Sequence, residues 1–154
     1  MSYELQTLIA SLLPPACPVN LTKVSVAQDA VWLQLTTTAP TACCPGCAVP
    51  SSAVHSRYQR QLTDLPWGTR TVHIRLTVRK FVCRQSTCAR RIFTERLPDL
   101  VAPSARKATR LIAILWAVGM TLGGQAGARL TARLRLSISS TTLLRLVRAA
   151  LVLH

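Results

Sequence analysis

The sequence predicts an α+β protein in three parts, and three observations lead to this prediction. Two short β-type runs lie near the N-terminus, two close pairs of cysteines bracket an alternating segment, and the hydrophobic period then changes from two to about 3.6. The expected parts are an N-terminal segment with a small β-hairpin (1–41), a cysteine-stapled ribbon (42–98) and a three-helix helix-turn-helix module (99–154). A chain of 154 residues has room for these small modules, which need a staple where the core is small.

The N-terminal hairpin is predicted from two runs with strand composition, Leu21 to Val26 and Val31 to Thr36. Gln28 and Asp29 between them form the expected turn, and residues 37–41 form a linker. Residues 1–16 lack a basic start, and Pro14-Pro15 interrupts their apolar run, so no export signal is expected. A cytoplasmic protein follows, in which cysteines stay reduced.

The two cysteine pairs predict a single Zn²⁺ site. Cys44 and Cys47 flank Pro-Gly, which folds the backbone tightly enough for both thiolates to face one ion, and Cys83 and Cys88 form a second, looser knuckle. Disulfides or a redox-active C-x-x-C are the alternatives, but a redox pair should begin a helix in a βαβ unit, whereas this pair precedes strand-like sequence. Cys43 could replace Cys44 as a ligand.

The other cysteine, Cys17, is interpreted as a small apolar residue. His55 and His73 could also bind zinc, but four cysteines already complete a tetrahedral shell. A phosphate contact or a structural hydrogen bond is therefore the expectation for both histidines. Asp64 and Glu95 are expected to pair with nearby arginines.

Positive charge is concentrated after residue 56. Residues 1–56 have a net charge of −1, whereas residues 57–154 hold 18 Arg and Lys against three acids, a net of +15. Arginine supplies nearly all of this charge, and its planar guanidinium binds phosphates and guanine edges. The alternative explanation for the many arginines is a GC-rich genome that favours arginine codons, on a surface that is merely kept soluble. The asymmetry favours double-stranded DNA as the partner.

The ribbon is predicted as two strands that join the cysteine knuckles. The first strand runs from about Ser52 to Leu62, and residues 64–69 form the turn. In the second strand, apolar side chains alternate with polar ones from Val72 to Arg79. One face can therefore pack, and the other, with Arg75 and Arg79, can meet phosphate.

Three helices are predicted after Pro98 and Pro103. The first is capped by Ser104 and ends at Gly119, the second runs from about Leu122 to Leu134 with Ala126 and Leu130 inward, and the third starts after Ser139 or Ser140. In the third helix the expected buried stripe is Leu143, Leu144, Val147 and Leu151. The opposite side, with Thr141, Thr142, Arg145 and Arg148, is expected to read bases in the major groove.

No membrane partner is expected from this pattern. The most apolar stretch, Leu111 to Met120, is too short to cross a bilayer and is followed by a Gly pair. A plain helical bundle with solvated arginines is the alternative interpretation of the C-terminal part.

Several of these segments resemble the N-terminal zinc-binding region of ISL-type insertion-sequence transposases. The resemblance is carried by Cys44-Pro45-Gly46-Cys47, Val54 to Arg60, Leu62 to Pro66, Val78 to Cys83 and Cys88 to Pro98. The segment from Leu122 through Arg145 resembles the helix-turn-helix that follows in the same family. The resemblance implies a bacterial, nucleoid-associated protein that recognises the terminal inverted repeats of an insertion element.

The resemblance also implies a catalytic domain of ribonuclease-H-like type with three metal-holding carboxylates. This chain ends at His154, and none of its five acids matches that triad, so a DNA-binding part without nuclease activity is expected. The alternatives are a stand-alone regulator and a zinc-stapled protein-interaction module, and a homodimer or an association with a full-length transposase stays open. The expected DNA contacts are Arg57, Arg60, Arg75, Arg79, Lys80, Arg90, Arg91, Thr141, Thr142, Arg145 and Arg148.

Overall fold

A mixed β-sheet forms the centre of the protein, of which the computed structural model describes residues 3–15 and 17–151. The chain starts with helix α1 (Tyr3–Ser11), which the sequence did not predict, and ends with α2 (Thr109–Arg133) and α3 (Ser140–Leu151). Between the helices lie seven strands: β1 (Val19–Val26), β2 (Ala30–Thr37), β3 (Ala42–Cys43), β4 (Pro50–Ser51), β5 (Val54–Trp67), β6 (Arg70–Val82) and β7 (Ile92–Thr94).

The main sheet has the strand order β1-β2-β6-β5, and β7 adds to the distal end of β6. β1 and β2 form the predicted hairpin, and β5 and β6 form the long hairpin of the ribbon. β2 pairs with β6 in parallel, with Leu33 opposite Ile74 and Leu35 opposite Leu76. The N-terminal hairpin and the ribbon strands therefore share one sheet.

One face of this sheet is buried, as the alternation in β6 predicted. Val72, Ile74, Leu76 and Val78 have at most 1% of their surface exposed. Ile9 of α1, together with Leu13, Leu97, Leu100 and Val101, packs against this face. The long hairpin thus projects from the main core and carries the cysteine knuckles at its distal end, around β3, β4 and β7.

The predicted three-helix helix-turn-helix module is wrong, although the α+β class and the ribbon agree with the structure. The described residues contain three helices, and one of them is α1, so only two helices follow the ribbon. The predicted first helix does not begin at Ser104, which has a φ of 60°, and it does not end at Gly119. Instead, Gly119 is buried where α2 meets α3. A Cβ atom at this position would lie too close to Leu143 and Val147, so glycine allows the two helices to pack closely.

The inward positions of the C-terminal helices also differ from those predicted. Leu143 is fully buried, but Leu144 and Leu130 are each 38% exposed. Gly127 and Thr131 are the buried residues of the second half of α2. The side chain of Leu151 lies outside the described residues.

Helix α2 is long and apolar enough, by length and composition, to cross a membrane, whereas the sequence predicts an apolar stretch too short for this. Its most apolar 18-residue stretch has a mean hydropathy of 1.5, and 22% of that stretch is buried in the protein. However, Gly123 has non-helical angles (φ 71°, ψ −171°), so α2 is kinked there and is not one continuous straight helix. A membrane-spanning helix needs about 20 continuous residues, and neither side of Gly123 in α2 is that long.

Candidate metal centre and basic surface

The two cysteine knuckles are tight turns closed by backbone hydrogen bonds. In the first, the Cys44 amide donates to the Val49 carbonyl at 3.0 Å, and the Ala48 amide donates to the Cys44 carbonyl at 2.8 Å. In the second, the Cys83 amide donates to Arg91 at 2.8 Å, and the Cys88 amide donates to Gln85 at 3.1 Å. Both turns leave their sulfurs on the same side of the ribbon.

The four sulfurs form a compact cluster, with all Sγ atoms within 4.8 Å of one another. Cys44 Sγ lies 3.9 Å from Cys88 Sγ, and Cys47 Sγ lies 3.6 Å from Cys83 Sγ. Tetrahedral zinc with sulfurs at about 2.3 Å requires sulfur–sulfur distances of about 3.8 Å. A disulfide would require about 2.05 Å, and all six cysteines are free. The cluster therefore fits a single Zn²⁺ and not a pair of disulfides.

A small hydrophobic cluster supports the zinc ligands. Phe81 of β6 and Phe93 of β7 stack with ring centroids 5.9 Å apart, and both are at most 2% exposed. Cys44, Cys83 and Cys88 pack against them. This cluster is separate from the main core, so its few apolar side chains need the metal to hold the distal hairpin together.

Hydrogen bonds within the cluster favour one thiolate. Burial raises the pKa of the Cys44 thiol, but hydrogen bonds from the Gly46 and Cys47 backbones and from neighbouring thiols outweigh burial and lower this pKa to about 7. A hydrogen bond from the Val49 backbone lowers the pKa of Cys47, but burial and the neighbouring cysteines raise it to about 12. Zinc must therefore displace protons when it binds.

The other two cysteines do not join this cluster. Cys43 is exposed beside Cys44 on β3. Burial, followed by the charge of Asp99, raises the pKa of the Cys17 thiol to about 11, and Cys17 packs against the main core. Within the described residues, the four-cysteine group is the one cluster that could hold a metal ion.

Comparison with known proteins identifies this ribbon. Residues 40–88 match the family described as the zinc-finger of transposase IS204/IS1001/IS1096/IS1165. This segment is therefore similar to the zinc ribbon of ISL-type transposases. The match contains all four cysteines of the cluster, and no curated protein or solved structure matches the chain.

The predicted ion pairs of Asp64 and Glu95 are confirmed, and one of them uses a predicted DNA contact. Arg79 donates to both Glu95 oxygens, from Nε at 3.2 Å and from Nη2 at 2.8 Å. Glu95 also accepts from the Thr37 hydroxyl at 2.6 Å, and Arg79 donates to the Ala39 carbonyl at 2.6 Å. Arg79 therefore joins the ribbon to the end of β2, a role that its place in the alternating pattern did not indicate.

The other predicted contacts on the zinc ribbon and its flanks lie at the surface. Arg60 is half-buried and donates to the Ala105 carbonyl at 2.6 Å, whereas Lys80 lies over the Tyr58 ring at 5.3 Å. Arg75 lies over the Trp32 ring at 4.6 Å on the face of the sheet opposite the core. The remaining predicted ribbon contacts are exposed: Arg57, Arg90 and Arg91.

The predicted contacts on α3 lie close together. Thr141, Arg145 and Arg148 are exposed, and Thr142 is half-buried. Ser139 caps the helix by accepting from the Thr142 amide at 3.2 Å, and Arg145 Nη2 lies 3.5 Å from the Thr142 hydroxyl. The first turns of α3 thus present hydroxyls and a guanidinium on one face.

Proposed function

We propose that this chain is the DNA-binding part of an insertion-sequence transposase and that it recognises the terminal inverted repeats of its element. The observation that carries this proposal is the transposase zinc ribbon over residues 40–88, with four sulfurs arranged for one Zn²⁺. The zinc stabilises the distal hairpin, and basic side chains around it and on α3 bind the duplex.

The distribution of charge supports a DNA partner. Of the 19 Lys and Arg side chains, only Arg79 and Arg110 form ion pairs among the residues that the structure describes. The others form no ion pair, and those exposed on the ribbon and on α3 can replace the counterions of a DNA backbone, an exchange that supplies most of the affinity for DNA of any sequence. The exposed Arg57, Arg75 and Lys80 are the proposed phosphate contacts of the ribbon.

Helix α3 is the proposed element for base recognition. Thr141 and Arg145 are exposed on its first turns, and a helix of this width enters the major groove of B-form DNA. Arg145 can donate two hydrogen bonds to guanine, and each such pair contributes about 1 to 3 kcal/mol of discrimination against the wrong base. Arg148 lies one turn further on and is the proposed phosphate contact of this helix.

We assign no strand cleavage to this part of the protein. Two-metal cleavage requires carboxylates that converge on metal ions. Asp64 and Glu95 are bound to arginines, and the acids of the described residues form no cluster of three metal ligands. The proposed role is therefore to bind and position DNA.

The direct test compares the affinity of the zinc-loaded protein for a duplex of the element end with its affinity for a scrambled duplex, by fluorescence anisotropy. Arg145→Ala should lower the affinity for the element end about 5- to 150-fold and leave the affinity for the scrambled duplex nearly unchanged. Arg129→Ala, an exposed position on α2, is the matched control and should leave the discrimination unchanged. The duplex is found by sequencing the DNA that flanks the reading frame and locating its inverted repeats.

Two other outcomes would replace this proposal. Weak binding that is steeply salt-dependent and equal for both duplexes would favour a protein-interaction module. Specific binding to a promoter, without inverted repeats at the native locus, would favour a stand-alone regulator.

A further inference from the structure

A cavity of about 210 Å³ lies where the sheet meets the C-terminal helices. We call it the junction cavity. Apolar side chains from the start of α2 and from the α2–α3 connection form part of its wall. Its polar lining residues are Thr63, Thr71, His73, Lys107, Arg135 and Ser137.

The backbone fixes three of these residues in place. Thr63 pairs with the segment before α2, because its amide donates to Arg106 and its carbonyl accepts from Ala108, both at 2.9 Å. This pairing holds Lys107 against β5. Arg135 lies in the α2–α3 connection with a φ of 60°, a conformation that turns the chain sharply after α2. The cavity is thus built from three segments that are distant in sequence.

The junction cavity is basic, and no acid lines it. Among the described residues, Lys107 and Arg135 form no ion pair. Asp64, which follows the lining residue Thr63, is already bound to Arg110. Two cations therefore face the same small space without a carboxylate to neutralise them.

His73 supplies the second observation. Its ring stacks on Trp32 with centroids 4.5 Å apart, and this contact fixes the ring plane. Its Nδ1 atom is buried and has no hydrogen-bond partner, and it is the one such side-chain atom in the described part of the chain. Buried polar atoms in folded proteins nearly always form a hydrogen bond, so the unpaired nitrogen of His73 is an exception at the wall of this cavity.

We propose that the junction cavity binds a phosphate group. The cavity is large enough to hold one tetrahedral oxyanion. Lys107 and Arg135 would supply charge-assisted hydrogen bonds, and the lining hydroxyls would donate to the remaining oxygens, beside the His73 ring. The phosphate belongs either to the DNA backbone, which rests on the function proposed above, or to a free anion in solution.

The first experiment uses inorganic phosphate and needs no DNA. The ring ¹⁵N signals of the zinc-loaded protein are followed during a phosphate titration at fixed pH and ionic strength, with chloride as the reference salt. The His73 signals should shift and saturate, whereas those of His55, an exposed residue on β5, should not. Lys107→Gln and Arg135→Gln should each weaken this saturation. No specific shift at His73 would overturn the proposal.

The second experiment distinguishes the two sources of phosphate. A phosphodiester bound in the cavity adds about 0.9 to the slope of log affinity for DNA against log salt concentration. Lys107→Gln should reduce this slope by about that amount for both specific and scrambled duplexes. Arg129→Gln on the exposed part of α2 should not. Zinc content and thermal unfolding are measured in each variant to show that the fold is retained.

The two experiments separate the failure of this proposal from that of the proposed function. A saturable shift of His73 with an unchanged DNA slope means that the site is filled by a free anion. A His73 shift with phosphate but no DNA binding at all would refute the proposed function and support the phosphate site. DNA binding with neither a shift nor a change in slope would refute the site alone.

Discussion

Asp64 and Arg110 form a two-bond ion pair that joins the sheet to the C-terminal helices. Arg110 donates from Nε to Asp64 Oδ1 at 2.8 Å and from Nη2 to Oδ2 at 2.5 Å. Asp64 is 1% exposed, and it also accepts from the Leu65 amide at 2.8 Å. This hydrogen-bonded carboxylate raises the pKa of Arg110, which donates from Nη1 to the Leu12 carbonyl as well. One guanidinium therefore ties α2 to β5 and to the segment after α1.

Replacing Arg110 with methionine should destabilise the protein strongly. The variant keeps much of the side-chain volume but leaves the Asp64 carboxylate buried without its partner. Such a loss costs about 3 to 5 kcal/mol for fully buried pairs, and we expect about 2 to 3 kcal/mol here because solvent screens a partly exposed partner. Urea unfolding measures the change. Arg106→Met, an exposed neighbour, should change stability by less than about 0.5 kcal/mol, and equal effects would show that the ion pair is unimportant.

Protein purified without added zinc should contain about one zinc ion per chain, and Cys83→Ser should lose it. The zinc-bound cluster around Phe81 and Phe93 is separate from the main core. Loss of zinc should therefore expose the distal hairpin, near residues 42–58 and 78–94, to hydrogen exchange, while the amides around Leu33 and Ile74 stay protected. Cys43→Ser is the matched control and should retain the metal. If Cys43→Ser lost zinc and Cys44→Ser did not, the ligand assignment would be wrong.

The affinity for zinc should fall steeply as the pH is lowered, because zinc binds thiolates and protons compete for them. The pKa of Cys44 is lowered to about 7, so this thiol is ionised above that pH. A hydrogen bond from the Gln85 backbone lowers the pKa of Cys83, but burial and contacts with Cys44 and Cys88 raise it, and that of Cys47 is raised to about 12. At least two protons are then released on binding.

A competition titration with a chromophoric chelator measures this linkage. Between about pH 7 and 9, log affinity should rise by about two or more for each pH unit. Below about pH 7, protonation of Cys44 should steepen the dependence further. A flat profile would mean that the cluster is already fully ionised without metal.

Local patterns in the sequence were sufficient to predict the ribbon and its zinc ligands. The Pro-Gly turn between Cys44 and Cys47 and the alternation in β6 are encoded within a few residues, and the structure confirms both. The parallel pairing of β2 with β6 joins residues about 40 positions apart, for example Leu33 and Ile74, and no local pattern encodes such a partner.

The helical part was predicted less well for a related reason. A glycine in a helical pattern can end a helix or allow another helix to approach, and sequence does not distinguish the two uses. Gly119 was assigned the first role and has the second, since Leu143 and Val147 pack against it. The role of Arg79 was similarly hidden, because its partner Glu95 lies beyond the second knuckle.

Gly119→Ala tests this close approach of α2 and α3. A Cβ atom at position 119 would lie 2.7 Å from Val147 Cγ2 and 3.0 Å from Leu143 Cδ2, so the α3 side chains must move. Overpacking costs about 1 to 3 kcal/mol, and the gain in helix propensity returns at most about 1 kcal/mol. Thermal unfolding should show a net loss of stability. Gln125→Ala, at an exposed position of the same helix, should be neutral or slightly stabilising, and a similar gain at Gly119 would show that the helices are not packed closely there.

Gly123→Ala tests the break in α2, and here the sign of the effect is the decisive observation. In a regular helix, this change would stabilise the protein by about 1 kcal/mol. Gly123 instead has a φ of 71° and a ψ of −171°, which are accessible almost exclusively to glycine, so alanine should cost about 1 to 3 kcal/mol. No atom lies within 4 Å of the Cβ position, so backbone strain alone would cause the loss. Urea unfolding measures it, and a stabilised variant would mean that α2 runs unbroken through residue 123.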